Sequence, residues 1–260
     1  MDAPAARPVD VLTVVAVTDV TPTVRRVLLR GTPAAAAAAG PTVHLLVPRV
    51  GDADPQWPEI ARDGRIVWPQ GSHGVSLRSY TARRQDPQAG TVEIDFVLHG
   101  TGPAAAWAAA AEQGTPVAFA GGAALGDRPA ATVLLAGDET ALPAITRLLA
   151  AAPPSTRGLA LVEVAGPEEE QPVAAPDGVE VRWLHRGGTP PGESTLLADA
   201  VGGLDLPAEE DLFAWVAAES SVVRAVRADL RSRWRLGRAQ HHAIGYWRRG
   251  RSMGATSSAD

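Results

Sequence analysis

Near Pro129 the sequence changes its rhythm, and that change constrains the fold more than any single motif. Before it, short Val-rich or alternating runs recur between turn signals: Val9 to Asp19, Val24 to Arg30, Thr42 to Val47, the stretch opening at Arg78, Thr91 to His99, and Pro116 to Ala120. Strands at such spacing predict a small antiparallel barrel. After it, Thr132 to Ala136 is a continuous apolar run, the mark of a parallel strand buried on both faces. A turn at Gly137–Thr140 and a helix over Ala141–Ala151 follow. Then come strands at Leu159–Val164, Val179–Leu184, Leu212–Ala217 and Ala243–Trp247, with helices at Thr195–Val201 and Ser221–Trp234. Strands alternating with helices predict an open α/β sheet. The expected chain is two-domain: an N-terminal antiparallel β-barrel over residues 9–125, a C-terminal α/β open parallel sheet over 129–251, and a disordered tail at 252–260.

Two stretches fit less well. Pro33 to Gly40 is an Ala run that reads as a short helix or a filler loop. Arg49 to Ser76 is long, rich in Pro and Gly, and carries Trp57 and Trp68. A structureless loop of that length is uncommon unless it covers something.

Composition excludes several chemistries. The chain has 260 residues, a net charge of −5 and no cysteine. Thiolate metal sites, iron–sulfur clusters, disulfides and Cys nucleophiles are ruled out. All 24 basic residues are Arg, so Schiff-base or Lys-base catalysis is impossible. The acidic balance does not indicate nucleic-acid binding. No apolar run reaches membrane-spanning length and no export signal is visible, so no membrane insertion and a cytoplasmic location are expected. His241 and His242 are adjacent and face opposite ways on a strand, and no metal site is expected. No Gly-x-Ser-x-Gly elbow surrounds Ser220 or Ser221, which removes a hydrolase reading.

The chemistry concentrates between Arg78 and Trp107. Arg78-Ser79-Tyr80-Thr81 supplies a planar cation suited to phosphate, a ring face for stacking and a hydroxyl that can donate to a ring nitrogen. A polar turn at Asp86–Gly90 follows. The next strand then puts Val92, Ile94, Phe96 and Leu98 on one face, and Glu93, Asp95, Val97 and His99 on the other. Gly100 and Gly102 precede a helix that opens at Pro103, whose free amides form an anion site for a pyrophosphate. Together these read as a site for a large, flat, phosphorylated cofactor.

At these residues the chain resembles ferredoxin-reductase-like flavoproteins through Arg78-Ser79-Tyr80-Thr81. The wider set resembles the siderophore-interacting protein family: Asp95-Phe96-Val97-Leu98-His99-Gly100, then Gly102-Pro103-Ala104 with Trp107, then Ala136 through Ile145, and late Gly245-Tyr246-Trp247-Arg248. The similarity runs from about Val11 to Gly250. It implies a flavoprotein reductase that passes electrons from NADPH or NADH through FAD to a ferric siderophore. The barrel would hold FAD and the α/β domain would present the nicotinamide.

The resemblance places Arg78 on the FAD phosphates, Ser79 and Tyr80 at the isoalloxazine, and Thr81 beside the nitrogen that accepts hydride. Thr81 tunes the flavin, and no acid or base residue is expected. The resemblance puts the Val97-Leu98-His99 backbone along the cofactor's linker and adenosine half, and His99 is otherwise a satisfied core histidine; Asp95 also belongs to the FAD set. Gly102, Pro103 and Ala104 open the helix, Trp107 either packs or stacks on adenine, and Trp247 completes the FAD set. Gly137 lacks a Gly-x-Gly-x-x-Gly context. It is either an ordinary turn glycine or a point of close approach for a dinucleotide, with Asp138, Glu139 and Thr140 bounding the nicotinamide pocket. Glu219 stands where relatives carry an acid near the nicotinamide. Glu168-Glu169-Glu170 reads as a solvated loop that favours NADH if it borders the ribose. Arg186 argues for NADPH, because an Arg at a strand end binds a 2′-phosphate.

Two departures bear on the substrate. Relatives commonly have a Lys in the third strand where this chain has His44, and a Gly-Pro-Arg-Gly turn where it has Ala120-Gly121-Gly122-Ala123. The Arg-rich region from Arg224 to Arg251, with Arg248 and Arg249, is either a solvated face or an electropositive rim for an anionic substrate. Two alternatives stay open: a reductase of the same fold with another acceptor, either a protein or a small oxidant, and a non-enzymatic flavin- or siderophore-binding protein.

Overall fold

The structure is a computed structural model that describes residues 7–52, 54–71, 74–98, 102–205 and 211–250. His99 and Gly100, and the tail at 252–260, lie outside the described residues. The chain divides into two compact units between Ala124 and Leu125. Leu125, which the sequence reading left with the barrel, belongs to the second unit. Its side chain is buried in that unit's core, and its carbonyl accepts the Trp215 indole N–H at 2.8 Å.

In the first unit, β1 (Arg7–Pro8) leads into β2 (Asp10–Asp19), β3 (Val24–Arg30) and α1 (Pro33–Ala38). Then come β4 (Thr42–Val47), β5 (Glu59–Ile60), β6 (Ile66–Val67), β7 (Ser76–Asp86), β8 (Thr91–Val97), α2 (Pro103–Ala110) and β9 (Pro116–Ala123). Six of these strands close into a barrel in the order β2-β3-β8-β7-β4-β9. All its pairings are antiparallel. A barrel this narrow is filled by side chains. Val43 and Leu45 from β4, Val92, Ile94 and Phe96 from β8, and Trp107 from α2 form its core. The face assignment of β8 is as the alternation predicts. The turn after β7 closes with the Ala89 N–H donating to Asp86 Oδ1 at 2.9 Å. It needs Gly90, whose φ is +67° and whose missing Cβ would lie 2.6 Å from the Gly31 carbonyl.

The Pro33–Gly40 run is a helix. Thr32 caps it by accepting from the Ala35 N–H at 3.0 Å, and Pro33 takes the first position, where an N–H is not needed. The long stretch after Arg49 is not structureless. It holds β5 and β6, which join β1 in a three-stranded antiparallel sheet. Trp57, Ile60, Ile66 and Trp68 pack there against Val9, Leu46 and Ala118. The stretch therefore covers the outer face of β4 and β9, which would otherwise expose apolar side chains.

The second unit runs β10 (Thr132–Asp138), α3 (Leu142–Ala151), β11 (Arg157–Val164), a 3-10 turn (Pro167–Glu169), β12 (Gly178–His185), α4 (Leu196–Gly202), β13 (Leu212–Glu219), α5 (Ser220–Ser232) and β14 (His241–Trp247). Its five-stranded sheet has the order β12-β11-β10-β13-β14, and every pairing is parallel. α3 packs on one face, over Leu135, Val162 and Trp215. α4 and α5 pack on the other, over Leu134, Leu161 and Val216. Strand β10 runs two residues beyond the apolar stretch, because Gly137 and Asp138 pair with Val162 and Glu163. The expected turn at Gly137 therefore starts later.

Close packing at the other end of the sheet depends on Gly158. Its φ is +140°, and an added Cβ would collide with the Val133 carbonyl on β10. Gly158→Ala is expected to destabilise the second unit by about 1–3 kcal/mol, since the backbone must shift to admit it. The expected outcome is a lower thermal midpoint by circular dichroism, with the β11–β10 amides losing hydrogen-exchange protection first.

Candidate functional site

In the barrel, the β4–β7 register sets Tyr80 opposite Val43, Arg78 opposite Leu45, Ser79 opposite His44 and Thr81 opposite Thr42. Arg78 and Tyr80 thus share the core-side face, and Ser79 faces out with His44. Tyr80 is half-buried, its ring centroid 4.5 Å from Phe96, and Phe96 in turn lies 5.5 Å from Trp107. Burial pushes the Tyr80 hydroxyl well above its ordinary value, against the pull of the Arg78 charge. Arg78 is half-buried and donates to the Leu77 carbonyl at 2.6 Å, and desolvation lowers its pKa. Thr81 is buried at 5% exposure.

Two residues of this set have other work. Asp95 is 7% exposed and accepts both forks of Arg26, at 2.7 and 2.9 Å, and Arg83 at 3.3 Å. Its carboxylate is held by two guanidinium groups on β3 and β7, which brace the outer face of the barrel. The sequence reading gave neither Arg26 nor Arg83 a role. Trp107 is 2% exposed and sits in the barrel core against Phe96. This burial supports the packing reading. Val97 and Leu98 are partly buried, Leu98 against the same core.

The start of α2 does fit an anion. Gly102 offers no side-chain cap, Pro103 has no N–H, and Ala104 follows in the first turn. The amides of Ala104 and Ala105 must therefore be satisfied from outside the helix. α2 packs against β7, the strand that carries Arg78. A half-buried cation and an uncapped helix start on neighbouring elements suit a pyrophosphate.

In the second unit the sequence order is β12-β11-β10-β13-β14, so the topological switch falls between β10 and β13. Ligands in such sheets lie at the carboxyl ends on either side of that point. Those ends are Asp138 and Glu219. The Asp138 carboxylate accepts four hydrogen bonds: Thr140 N–H at 3.0 Å, Thr140 Oγ1–H at 2.5 Å, Glu219 N–H at 3.1 Å and Trp247 Nε1–H at 2.7 Å. Trp247, expected with the FAD set, is thereby fixed at the end of β14 beside Asp138. Burial and the neighbouring Glu139 push Asp138 up to about 6, against those hydrogen bonds. Glu219 is desolvated, yet its pKa is lowered on balance, because Ser221, the Arg249 N–H and the Val222 N–H all donate to it. Between these acids, Glu163, Gly192 and Val222 close a cavity of about 10 Å³, room for about one water.

Three observations bear on the expected residues here. Gly137 has a packing role. A Cβ there would meet the Ala141 side chain and lie 2.7 Å from the Ala217 carbonyl, so the glycine lets α3 and β13 close on β10. The Arg186 fork is buried and paired with Glu139 at 2.7 and 2.9 Å. Glu168-Glu169-Glu170 is not uniformly solvated: Glu169 is buried. Glu163 was missed. It caps α4 by accepting from the Ser194 hydroxyl at 3.1 Å and the Leu197 N–H at 3.2 Å. An acid inside an otherwise apolar strand was the signal that could have found it.

Of the weaker substrate candidates, His44 shares a 3.0 Å hydrogen bond with Ser79. Arg249 pairs with Glu193 and Arg248 is exposed. Gly122 admits the Gly40–Thr42 backbone, where a Cβ would lie 2.6 Å from the Thr42 carbonyl. No group of His, Asp and Glu among the described residues could hold a metal ion, and no described helix is long and apolar enough to cross a membrane.

Residues 13–124 match the siderophore-interacting FAD-binding domain, and residues 130–250 match the family described as siderophore-interacting protein. The chain belongs to the siderophore-interacting protein family. It is 34% identical over 197 residues to the ferric vibriobactin reductase ViuB of Vibrio cholerae, covering 74% of this chain and 71% of that one. A siderophore utilization protein from T. fusca superposes with a TM-score of 0.83 at 33% identity, over 95% of this chain and 96% of that one. A ferredoxin NADP+ reductase from Neisseria gonorrhoeae shares the fold, with a TM-score of 0.57 at 13% identity over 91% of this chain and 98% of that one. The ferredoxin-reductase-like, two-domain architecture is thus the fold of this family member.

The Asp138 network gives a pH signature. The unfolded value is near 3.8 and the folded value about 6, so the folded protein retains a proton that the unfolded chain has released. Stability from this group is therefore gained as pH falls into that window and lost as pH rises through about 6, by up to roughly 3 kcal/mol. Asp138→Asn removes the titration. Urea midpoints at pH 4.5 and pH 7 are expected to show wild type losing more stability on raising the pH than the variant does.

Proposed function

We propose that the protein is a flavoprotein reductase that passes electrons from NADH or NADPH through FAD to a ferric siderophore, releasing Fe(II). The observation that carries this reading is the uncapped start of α2, which lies with half-buried Arg78 inside the segment that matches the FAD-binding domain. FAD supplies a centre that accepts hydride and gives up single electrons.

The chain's own residues bind and orient. Arg78 and the Ala104 and Ala105 amides hold the pyrophosphate. Tyr80, backed by Phe96, offers a rigid ring edge and face to the isoalloxazine. Thr81, with Ser79 on the same strand, sets a hydroxyl beside the flavin nitrogen. In the second unit, Thr140, Glu219 and Trp247, held together by Asp138, shape the nicotinamide pocket. No side chain serves as acid or base. The ferric siderophore is substrate: its oxygen donors hold Fe(III) more tightly than Fe(II), so reduction loosens the chelate. ViuB, a relative in this family, is named for a reaction of this kind.

A second reading keeps the reductase and changes the acceptor. His44 is engaged with Ser79, and the Ala120–Ala123 end of β9 carries no cation, so the two positive groups expected to meet an anionic chelate are absent. A non-enzymatic binder of flavin or siderophore is the remaining alternative.

The purified protein is expected to be yellow and to bleach when titrated anaerobically with a nicotinamide dinucleotide, then recolour on adding a ferric chelate. Recolouring by quinones but not by chelates of any charge would favour the second reading. A colourless protein that takes up no FAD would sink both. Arg78→Ala should weaken FAD binding about 10- to 100-fold, the loss of one charge-assisted contact. Thr81→Val should keep the flavin and slow its reduction in stopped-flow traces.

A further inference from the structure

We propose that the second unit discriminates against a 2′-phosphate, taking NADH in preference to NADPH, and that Glu168 sets this choice. The inference rests on the nicotinamide reading above. A dinucleotide lying across the carboxyl ends from the β10/β13 switch point meets the end of β11, the second strand of the unit. There folds of this kind keep either an acid for the ribose hydroxyls or an Arg for the 2′-phosphate.

In this chain that end is acidic. β11 gives way to Gly166, and the Glu168 carboxylate folds back over it: a Cβ on Gly166 would lie 2.6 and 2.7 Å from the two carboxylate oxygens. Glu168 is exposed, and among the described residues none donates a hydrogen bond to it. Its lone pairs are available to a pair of hydroxyls.

The basic side chains that would reverse the preference are occupied. The end of β12 carries two, His185 and Arg186. His185 faces Glu170 at 2.8 Å. Arg186 is held by Glu139 in a buried fork, and its Nε is buried without a partner. Swinging Arg186 out to a phosphate would strand Glu139 in the interior, a costly exchange. A 2′-phosphate would therefore meet an unpaired carboxylate with neither basic side chain released to balance it.

The test is binding to the full-length protein by calorimetry, using NAD+ and NADP+, and AMP and adenosine 2′,5′-bisphosphate, none of which reduces the flavin. Wild type is expected to bind the non-phosphorylated member of each pair at least about tenfold more tightly. Glu168→Gln should narrow the ratio, and Glu168→Arg should invert it. Because the residue is exposed, thermal midpoints should be unchanged. Tighter binding of the 2′-phosphorylated member by wild type, or a ratio unmoved in Glu168→Arg, would overturn the inference and leave the nicotinamide reading standing. Failure of both dinucleotides to bind would overturn both.

Discussion

The carboxylate of Asp138 is the tie on which the second unit's functional edge depends. It sits at the end of β10 and accepts from the end of β13 through the Glu219 amide, from the end of β14 through the Trp247 indole, and from its own turn through Thr140. Three strand ends and the entry to α3 are fixed by one side chain. A buried carboxylate is tolerated only when its acceptor sites are filled, and here four donors fill them. The opposing pulls on its pKa, burial and Glu139 against the donors, follow from the same arrangement.

Asp138 is one of three acids with this habit. Glu163 accepts from Leu197 at the start of α4, and Glu219 from Ser221 at the start of α5. Helix N-termini in α/β sheets are ready anion sites. In this chain the sheet's own carboxylates occupy the starts of α4 and α5, whereas α3 opens at Ala141 without a side-chain cap. The barrel has an open start as well. Gly102 leaves α2 uncapped, and the sole acid buried in the barrel, among the described residues, is Asp95, balanced by Arg26 and Arg83. The two units therefore differ in how each one satisfies its buried acids, chiefly through backbone amides in the second and through guanidinium groups in the first.

Much of the architecture was legible in the sequence, because periodicity reports burial directly. The alternation of Val92, Ile94 and Phe96 and the continuous run from Thr132 to Ala136 read as a barrel strand and a doubly covered parallel strand, and that is how they fold. Val24–Arg30 and Thr42–Val47 kept their bounds. Extent was harder where pairing, not hydropathy, decides: Gly137 and Asp138 are strand because Val162 and Glu163 lie beside them. The small sheet of β1, β5 and β6 was invisible for a related reason. Two-residue strands have no period, and only their tryptophans hinted that they cover something.

The site was legible in residue type but not in partnership. Arg186, Asp95 and Trp107 each have the chemistry expected of a cofactor ligand, yet each is taken up within the chain, by Glu139, by Arg26 and Arg83, and by Phe96. A sequence names donors and acceptors without saying which are already matched. Gly137 makes the same point in steric form, since the space its missing Cβ leaves is filled by Ala141 and Ala217. Motif blocks thus combine residues that hold the family's fold with residues that meet its ligands. Those with hydrogen-bonding capacity left after the internal pairing is subtracted, such as the α2 amides and Glu168, are where ligand chemistry has to be sought.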